Sequence, residues 1–317
     1  MSTPNRWVGR VERYLDYRRN CGFALMTNEM ILRSFARFAD RARPQTRLTV
    51  ALVIAWSKTA KSCRPVTWTR RVEILRGFAR YWLRFDPMTE VPPREIFGSA
   101  PYHRPMPHIF SDEEIVALMK ATRRLLSSNH PLRQQTCRTL FGLLAATGLR
   151  VSEAIHLKRV DVDLQAGVLT VREGKCHKSR LVALHPSNTV ALRRYSQLCD
   201  HSVPLPRSDR FFLFDHGRPV TREAVRYALQ SLCRRLGWHP RGDYHRHRVQ
   251  DMRHTYIVHS IVRFYRQGIP IDRKLLALHT YVGHATIKET YWYCSAIPEL
   301  MGLAAERFRR HLHAERP

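Results

Sequence analysis

The 317-residue sequence predicts a mainly α protein with a small antiparallel β-sheet, divided into two basic domains near residue 106. Three observations carry this reading. Apolar residues recur at helical spacing through most of the chain. Three short strand-like runs follow one another between Arg159 and Leu184. Between Asp86 and Pro107 the helical pattern is broken by Pro87, Pro92, Pro93, Pro101, Pro105 and Pro107, which no continuous helix accommodates.

In the first domain, residues 1–106, four helices are expected: Trp7 to Arg18, Met30 to Ala42 with Asn28 as N-cap, Leu48 to Thr59, and Trp68 to Phe85. The fourth mixes Arg70, Arg71, Arg76 and Arg80 with Ile74, Leu75, Phe78 and Tyr81. That mixture fits either a solvated basic face or a helix turned towards DNA. The second domain, residues 107–317, opens on Ser111-Asp112-Glu113-Glu114, a capping box starting a helix to Leu126. Helices at Pro131 to Ala146, Thr221 to Leu236, Arg253 to Arg266 and Arg273 to Leu278 flank the three strands, with Phe211 to Phe214 a further extended piece.

Charge selects the partner. Lys and Arg total 54 against 26 Asp and Glu, a net of +28. Residues 1–106 hold 20 basic and 8 acidic residues (+12) and residues 107–317 hold 34 and 18 (+16), so neither half is neutral. A field of that sign draws a polyanion, and counterion release favours nucleic acid. The excess is carried mainly by arginine, whose planar fork suits phosphate oxygens. Seven scattered cysteines without a CxxC pair fit reduced thiols and argue against a zinc cluster. No run has the apolar length of a membrane span, and the polar start lacks a signal-peptide core, so a cytoplasmic protein is expected.

Four short motifs stand out. Thr147-Gly148-Leu149-Arg150-Val151-Ser152-Glu153 closes one helix on a glycine and opens another, holding Arg150 at a turn beside the core. Gly174-Lys175-Cys176-His177-Lys178-Ser179-Arg180 forms the turn between the second and third strands. Asp251-Met252-Arg253-His254-Thr255 begins an apolar helix, where Arg253 beside free backbone N–H groups would make a phosphate site. Val282-Gly283-His284 is followed nine residues after the histidine by Tyr293. A nucleophilic tyrosine and a phosphate-holding histidine brought together by a turn is the reading of that last stretch.

In this order the motifs resemble the tyrosine recombinase (phage integrase) family, over residues 107–300 most closely. The resemblance implies a helical core-binding domain followed by a mixed α/β catalytic domain. It implies that Tyr293 attacks a DNA phosphodiester, giving a 3′-phosphotyrosyl link and a free 5′-hydroxyl, with no metal and no cofactor. Arg150, Arg253 and His284 would hold the phosphate oxygens, Lys175 would protonate the leaving 5′-oxygen, and Glu153 would orient its neighbours. Arg70, Arg71, Arg76, Arg80, Lys178 and Arg180 are the expected DNA contacts, on double-stranded DNA. A homo-oligomer is implied, a dimer on each site and a tetramer in the synapse, with sibling recombinases as further partners. The family places a His or Lys three residues before the second arginine, where this chain has Gln250, which donates a hydrogen bond but cannot titrate.

The alternatives are specific. A His245/Arg248 pair shares the spacing of Gln250 and Arg253 but opens no apolar helix, and His245 is a candidate to swing in and replace the missing imidazole; Tyr291 is a second candidate nucleophile. A catalytically weakened DNA-binding protein of the same fold, and a type IB topoisomerase-like strand transferase, are the competing functions. A zinc nuclease would account for the histidines, but no ligand pair has helix spacing. After Tyr293, Met301, Ala304, Ala305, Phe308 and Leu312 suggest the apolar stripe of a last helix, docked on its own domain or on a neighbouring protomer.

Overall fold

Apolar periodicity produces helices wherever it is sustained, and the computed structural model describes residues 6–23, 25–42, 47–60, 65–98, 104–124, 131–172 and 179–314. Contacts divide the chain into two units, Met1–His103 and Arg104–Pro317.

In the first unit, helices α1 (Arg6–Asn20), α2 (Met26–Arg41), α3 (Val50–Lys58) and α4 (Pro65–Trp82) enclose one core. Trp7, Phe35, Trp56 and Phe78 meet there edge-on or tilted, at centroid separations of 5.4 to 6.4 Å. Burying each such ring stabilises by roughly 2–3 kcal/mol. Helix α3 begins at Thr49, whose hydroxyl accepts from Leu52 N. Helix α2 begins two residues before Asn28, so Asn28 lies inside it and is not the cap; Leu25 takes the cap position in a left-handed conformation.

Helix α4 corrects the sequence reading of its arginines. Arg71 lies over the Trp56 ring and donates to the carbonyls of Trp56 and Ser57, while Arg76 is buried and donates to the carbonyl of Pro92. Arg71 closes the C-terminal end of α3, where orphan carbonyls require donors, and Arg76 ties down the loop that follows α4. Arg70 and Arg80 remain exposed.

The second unit opens with the Ser111 capping box: Glu114 N donates to Ser111 Oγ and Ser111 N donates back to Glu114. Helix α5 (Asp112–Ala121) passes into a 3₁₀ turn at Thr122–Arg124, and residues 125 and 126 of the expected helix lie outside the described residues. Helix α6 (Pro131–Thr147) is central, followed by the short α7 (Val151–His156). The sheet is β1 (Val162–Asp163), β2 (Val168–Val171) and β3 (Arg180–Ala183), antiparallel in the order β1-β2-β3. In β2, Leu169 and Val171 point into the core and the alternate residues are half-exposed.

Helix α8 (Pro186–Ser202) is missing from the sequence reading. Its signals are there: Pro186 at the first helical position, His185 accepting from Ser187 N, and Leu192, Tyr195 and Cys199 on one buried stripe. Then come α9 (Arg222–Arg235), α10 (Gln250–Arg266), α11 (Ile271–Val282), α12 (Lys288–Ala296) and α13 (Pro298–Ala314). Leu300 is buried in the core that α10, α11 and α12 share, whereas Met301 and Phe308 of the expected stripe are exposed and face away from that core. Phe211 to Phe214 is extended and makes only isolated bridges. No helix among the described residues is long and apolar enough to cross a membrane.

Candidate active site

Two turn glycines organise the site. Gly148 and Gly283 both adopt φ near +65°, at +62° and +68°, a conformation that costs a side-chain-bearing residue. A Cβ on Gly148 would lie 2.5 Å from the Tyr256 ring, and one on Gly283 would lie 2.7 Å from the Arg180 guanidinium. Each glycine also presents its carbonyl to an arginine. Arg253 Nη1 donates to Gly148 O at 2.8 Å, and Arg150 Nη2 donates to Gly283 O at 2.8 Å. The bends that end α6 and α11 therefore fix where the two arginines point.

Glu153 fastens the other side. Arg150 donates to it through Nη1 at 2.8 Å and backbone N at 3.0 Å, and Arg180 donates through Nη1 at 3.1 Å and Nη2 at 2.8 Å. Its side chain is 6% exposed. Burial alone would raise its carboxyl, but Arg180 and Arg150 outweigh burial and hold it down to about 2. Arg180, expected on DNA, is thus committed to Glu153 and, through Nε, to the Tyr281 carbonyl at 2.9 Å. A guanidinium this enclosed takes the carboxylate within reach.

Arg253 is 2% exposed, and its Nη2 has no hydrogen-bond partner among the described residues. Burial, then the charge of Arg150, lowers its guanidinium to about 10. A buried donor left open in a native fold calls for an explanation, and an anion from outside provides one. Helix α10 begins at Gln250, so Arg253 lies at the end of the first turn and not at the helix N-terminus. Asp251 occupies that N-terminus, accepting from Arg248 N, Nε and Nη2 at 2.6 to 3.0 Å.

Helix α12 carries Tyr293, which is 1% exposed and packed among Ile257, Val258 and Val282. Its ring lies parallel to that of His284, with centroids 6.3 Å apart. His284 Nδ1 is 2.7 Å from Thr290 Oγ1, and burial with Arg253 and Arg150 lowers its imidazole to about 3. Burial pushes the Tyr293 phenol up to about 12, against the opposing charges of Arg104 and Arg253. Tyr291 is exposed.

Two further residues reach Tyr293 that the sequence reading does not assign. His254 Nδ1 is 2.6 Å from the Tyr293 hydroxyl, and Arg104 lies over the rings of Trp292 and Tyr293 at 4.1 and 5.7 Å. His254 follows Arg253 within one quoted motif; the signal for it was its place on the inward stripe Arg253, His254, Ile257, Ile261. Arg104 has no local signal, because it ends the proline-rich segment far from Tyr293 in sequence. Lys175 and Lys178 lie outside the described residues. An open groove of about 720 Å³ runs along Arg150, His156, Lys158, Arg172 and Arg210.

The structure therefore brings Arg150, Glu153, Arg253, His284 and Tyr293 into one cluster, with Arg253, His284 and Tyr293 buried, Arg150 and Glu153 half-buried, and Gln250 half-buried at the start of α10. Residues 109–299 match the model of the phage integrase family. A Sinorhizobium fredii (strain NBRC 101917 / NGR234) protein described as "Putative integrase/recombinase y4rB" is 35% identical over 303 residues, 95% of this chain and 96% of that one. Tyrosine recombinase XerC of Staphylococcus carnosus (strain TM300) is 27% identical over 234 residues, 74% of this chain and 72% of its own. Among solved structures, the Tn1549 transposon integrase in complex with a circular intermediate DNA shares the fold, with a TM-score of 0.66 at 16% identity over 94% of this chain and 99% of that chain.

The chain belongs to the phage integrase family of tyrosine recombinases, enzymes that act as site-specific DNA strand transferases.

Proposed function

We propose that this recombinase cuts and rejoins duplex DNA with Tyr293 as nucleophile, acting in the cytoplasm on behalf of a mobile element. One observation carries the site assignment: Arg253 is buried with an open Nη2 beside Arg150, next to a tyrosine. Arg150 and Arg253 bind the non-bridging oxygens of the scissile phosphate, where charge builds in the transition state. With Nδ1 accepting the Thr290 hydroxyl, His284 keeps Nε2–H to donate to the same phosphate. Glu153 holds Arg150 in position, and Lys175 protonates the departing 5′-oxygen. Gln250 donates a hydrogen bond in place of a titrating residue. The 3′-phosphotyrosyl link keeps the energy of the broken bond, so a second 5′-hydroxyl rejoins the strand without ATP.

The observation that decides between this and a binding-only protein is covalency. Incubation with a pool of nicked random-sequence duplexes in chelator, followed by SDS-resistant capture, is expected to trap the parent on DNA. Tyr293→Phe is expected to trap nothing, and Tyr291→Phe to behave as the parent. No adduct from the parent on any sequence would refute the reading; an adduct from Tyr293→Phe would move the nucleophile elsewhere.

The first unit serves as the core-binding clamp, and dimers on each site pair as a tetramer in the synapse. Arg70 and Arg80 are its exposed phosphate contacts on α4. Each one replaced by alanine should weaken DNA binding on all sequences and reduce the salt slope by roughly one. Arg76→Met should leave that slope unchanged, because its guanidinium is occupied by Pro92. Titrations at several salt concentrations check both; an altered slope in Arg76→Met would contradict the inward placement of its charge.

A further inference from the structure

We propose that His254 is the proton acceptor for Tyr293, an assignment that rests on the recombinase reading above. The imidazole Nδ1 is 2.6 Å from the phenolic oxygen, within reach for direct proton transfer. The rings are 5.7 Å apart and tilted by 46°, and both side chains are buried, so water does not compete for the proton. The need is real in this chain, since Gln250 cannot titrate. The other substitute suggested by the sequence, His245, is exposed and lines a separate cavity with Arg226, Tyr227 and Arg246.

The step balances as follows. The bond from Tyr293 Oη to phosphorus forms as the bond from phosphorus to the 5′-oxygen breaks. The phenolic proton passes to His254 Nδ1, and the 5′-oxygen takes a proton from Lys175. On resealing, the bond from an incoming 5′-oxygen to phosphorus forms as the phosphotyrosyl bond breaks; the 5′-hydroxyl gives its proton to Lys175, and His254 returns the proton to Tyr293 Oη.

The surroundings set when this happens. Arg248 from the loop before α10, Arg104 from the segment before α5 and Arg253 on α10 itself all oppose a charge on His254. Burial is the largest cause, and together they lower the imidazole to about 3, so at physiological pH it is neutral, with Nδ1 unprotonated but weakly basic while the site is empty. The phenol at about 12 keeps its proton in the free protein. A bound phosphodiester cancels part of the arginine field and raises His254, while the forming O–P bond makes the phenol acidic. Proton transfer is thus coupled to occupation of the site.

A buried phenol also needs a hydrogen-bond partner for packing alone, and the test separates the two roles. His254→Asn places an amide oxygen where Nδ1 stands, keeping an acceptor that cannot hold the proton. On a duplex captured by the parent, single-turnover cleavage by His254→Asn and His254→Ala should both slow by about 10²–10⁴-fold at neutral pH. That deficit should shrink by about tenfold per pH unit as hydroxide takes over the phenol, while the parent stays flat. A 5′-bridging phosphorothiolate, whose leaving group needs no acid, should restore Lys175→Ala and leave His254→Asn slow. His254→Gln repeats the measurement should His254→Asn fail to fold. A parent-like rate in His254→Asn, a deficit that ignores pH, or rescue by phosphorothiolate overturns the assignment while the recombinase stands. Absence of any adduct from the parent sinks the recombinase reading itself.

Discussion

Arg253→Met is expected to abolish strand cleavage and, in the same protein, to raise the unfolding temperature. The guanidinium lies in the core beside two other arginines, with Nη1 held by the Gly148 carbonyl and Nη2 without a partner among the described residues. An unpaired buried donor costs about 1–3 kcal/mol, and exchange of a buried charge for a well-packed apolar group is often neutral or stabilising. Methionine follows the same path through the core and removes the open donor, at the expense of one hydrogen bond. A net gain of about 1 kcal/mol corresponds to roughly 2–4 °C for a domain of this size. Cleavage should fall by about 10³-fold or more, since the lost donor faces the charge that develops on phosphate. Thermal melts and adduct kinetics on one preparation test both halves. A lower melting temperature would mean that Arg253 holds the fold together, and near-normal cleavage would remove it from the site.

Glu153→Gln should act in the opposite sense, with activity and stability lost together. The carboxylate is shared by Arg150 and Arg180, and neutralising it leaves two guanidiniums facing each other beside Arg253. Because the folded carboxyl is held at about 2, below its ordinary range, its contribution is complete above about pH 4.5 and is lost as pH falls towards 2. A depression of about two units corresponds to roughly 3 kcal/mol at neutral pH. Urea unfolding across this window should show the parent losing stability with acid and Glu153→Gln losing correspondingly less. Superimposable acid limbs would show that the carboxylate is not what the arginines rely on.

Several misreadings of the sequence share one cause. Arg71, Arg76 and Arg180 look like DNA contacts because arginine in a basic chain ordinarily faces outward. In the fold each meets an acceptor, a helix-end carbonyl, the loop carbonyl of Pro92 or the Glu153 carboxylate, that no spacing rule announces. Helix α8 is lost for a different reason: its stripe is interrupted by Arg193 and Arg194, which dilute the apolar signal although Leu192, Tyr195 and Cys199 keep the period. In α13 the residue buried in the core is Leu300, which precedes the residues that the periodicity picks out.

Local chemistry was sufficient for the fold class, the four motifs, the capping box at Ser111 and the residues that cluster about Tyr293. Those features depend on spacing along one helix or turn, where neighbours in sequence are neighbours in space. Tertiary structure alone decided which arginines point inward, that Gly148 and Gly283 hold Arg253 and Arg150 by their carbonyls, and that Tyr293 lies against His254 and Arg104. These contacts join residues tens to hundreds of positions apart, and their geometry exists only when α6, α10, α11 and α12 have packed around one core.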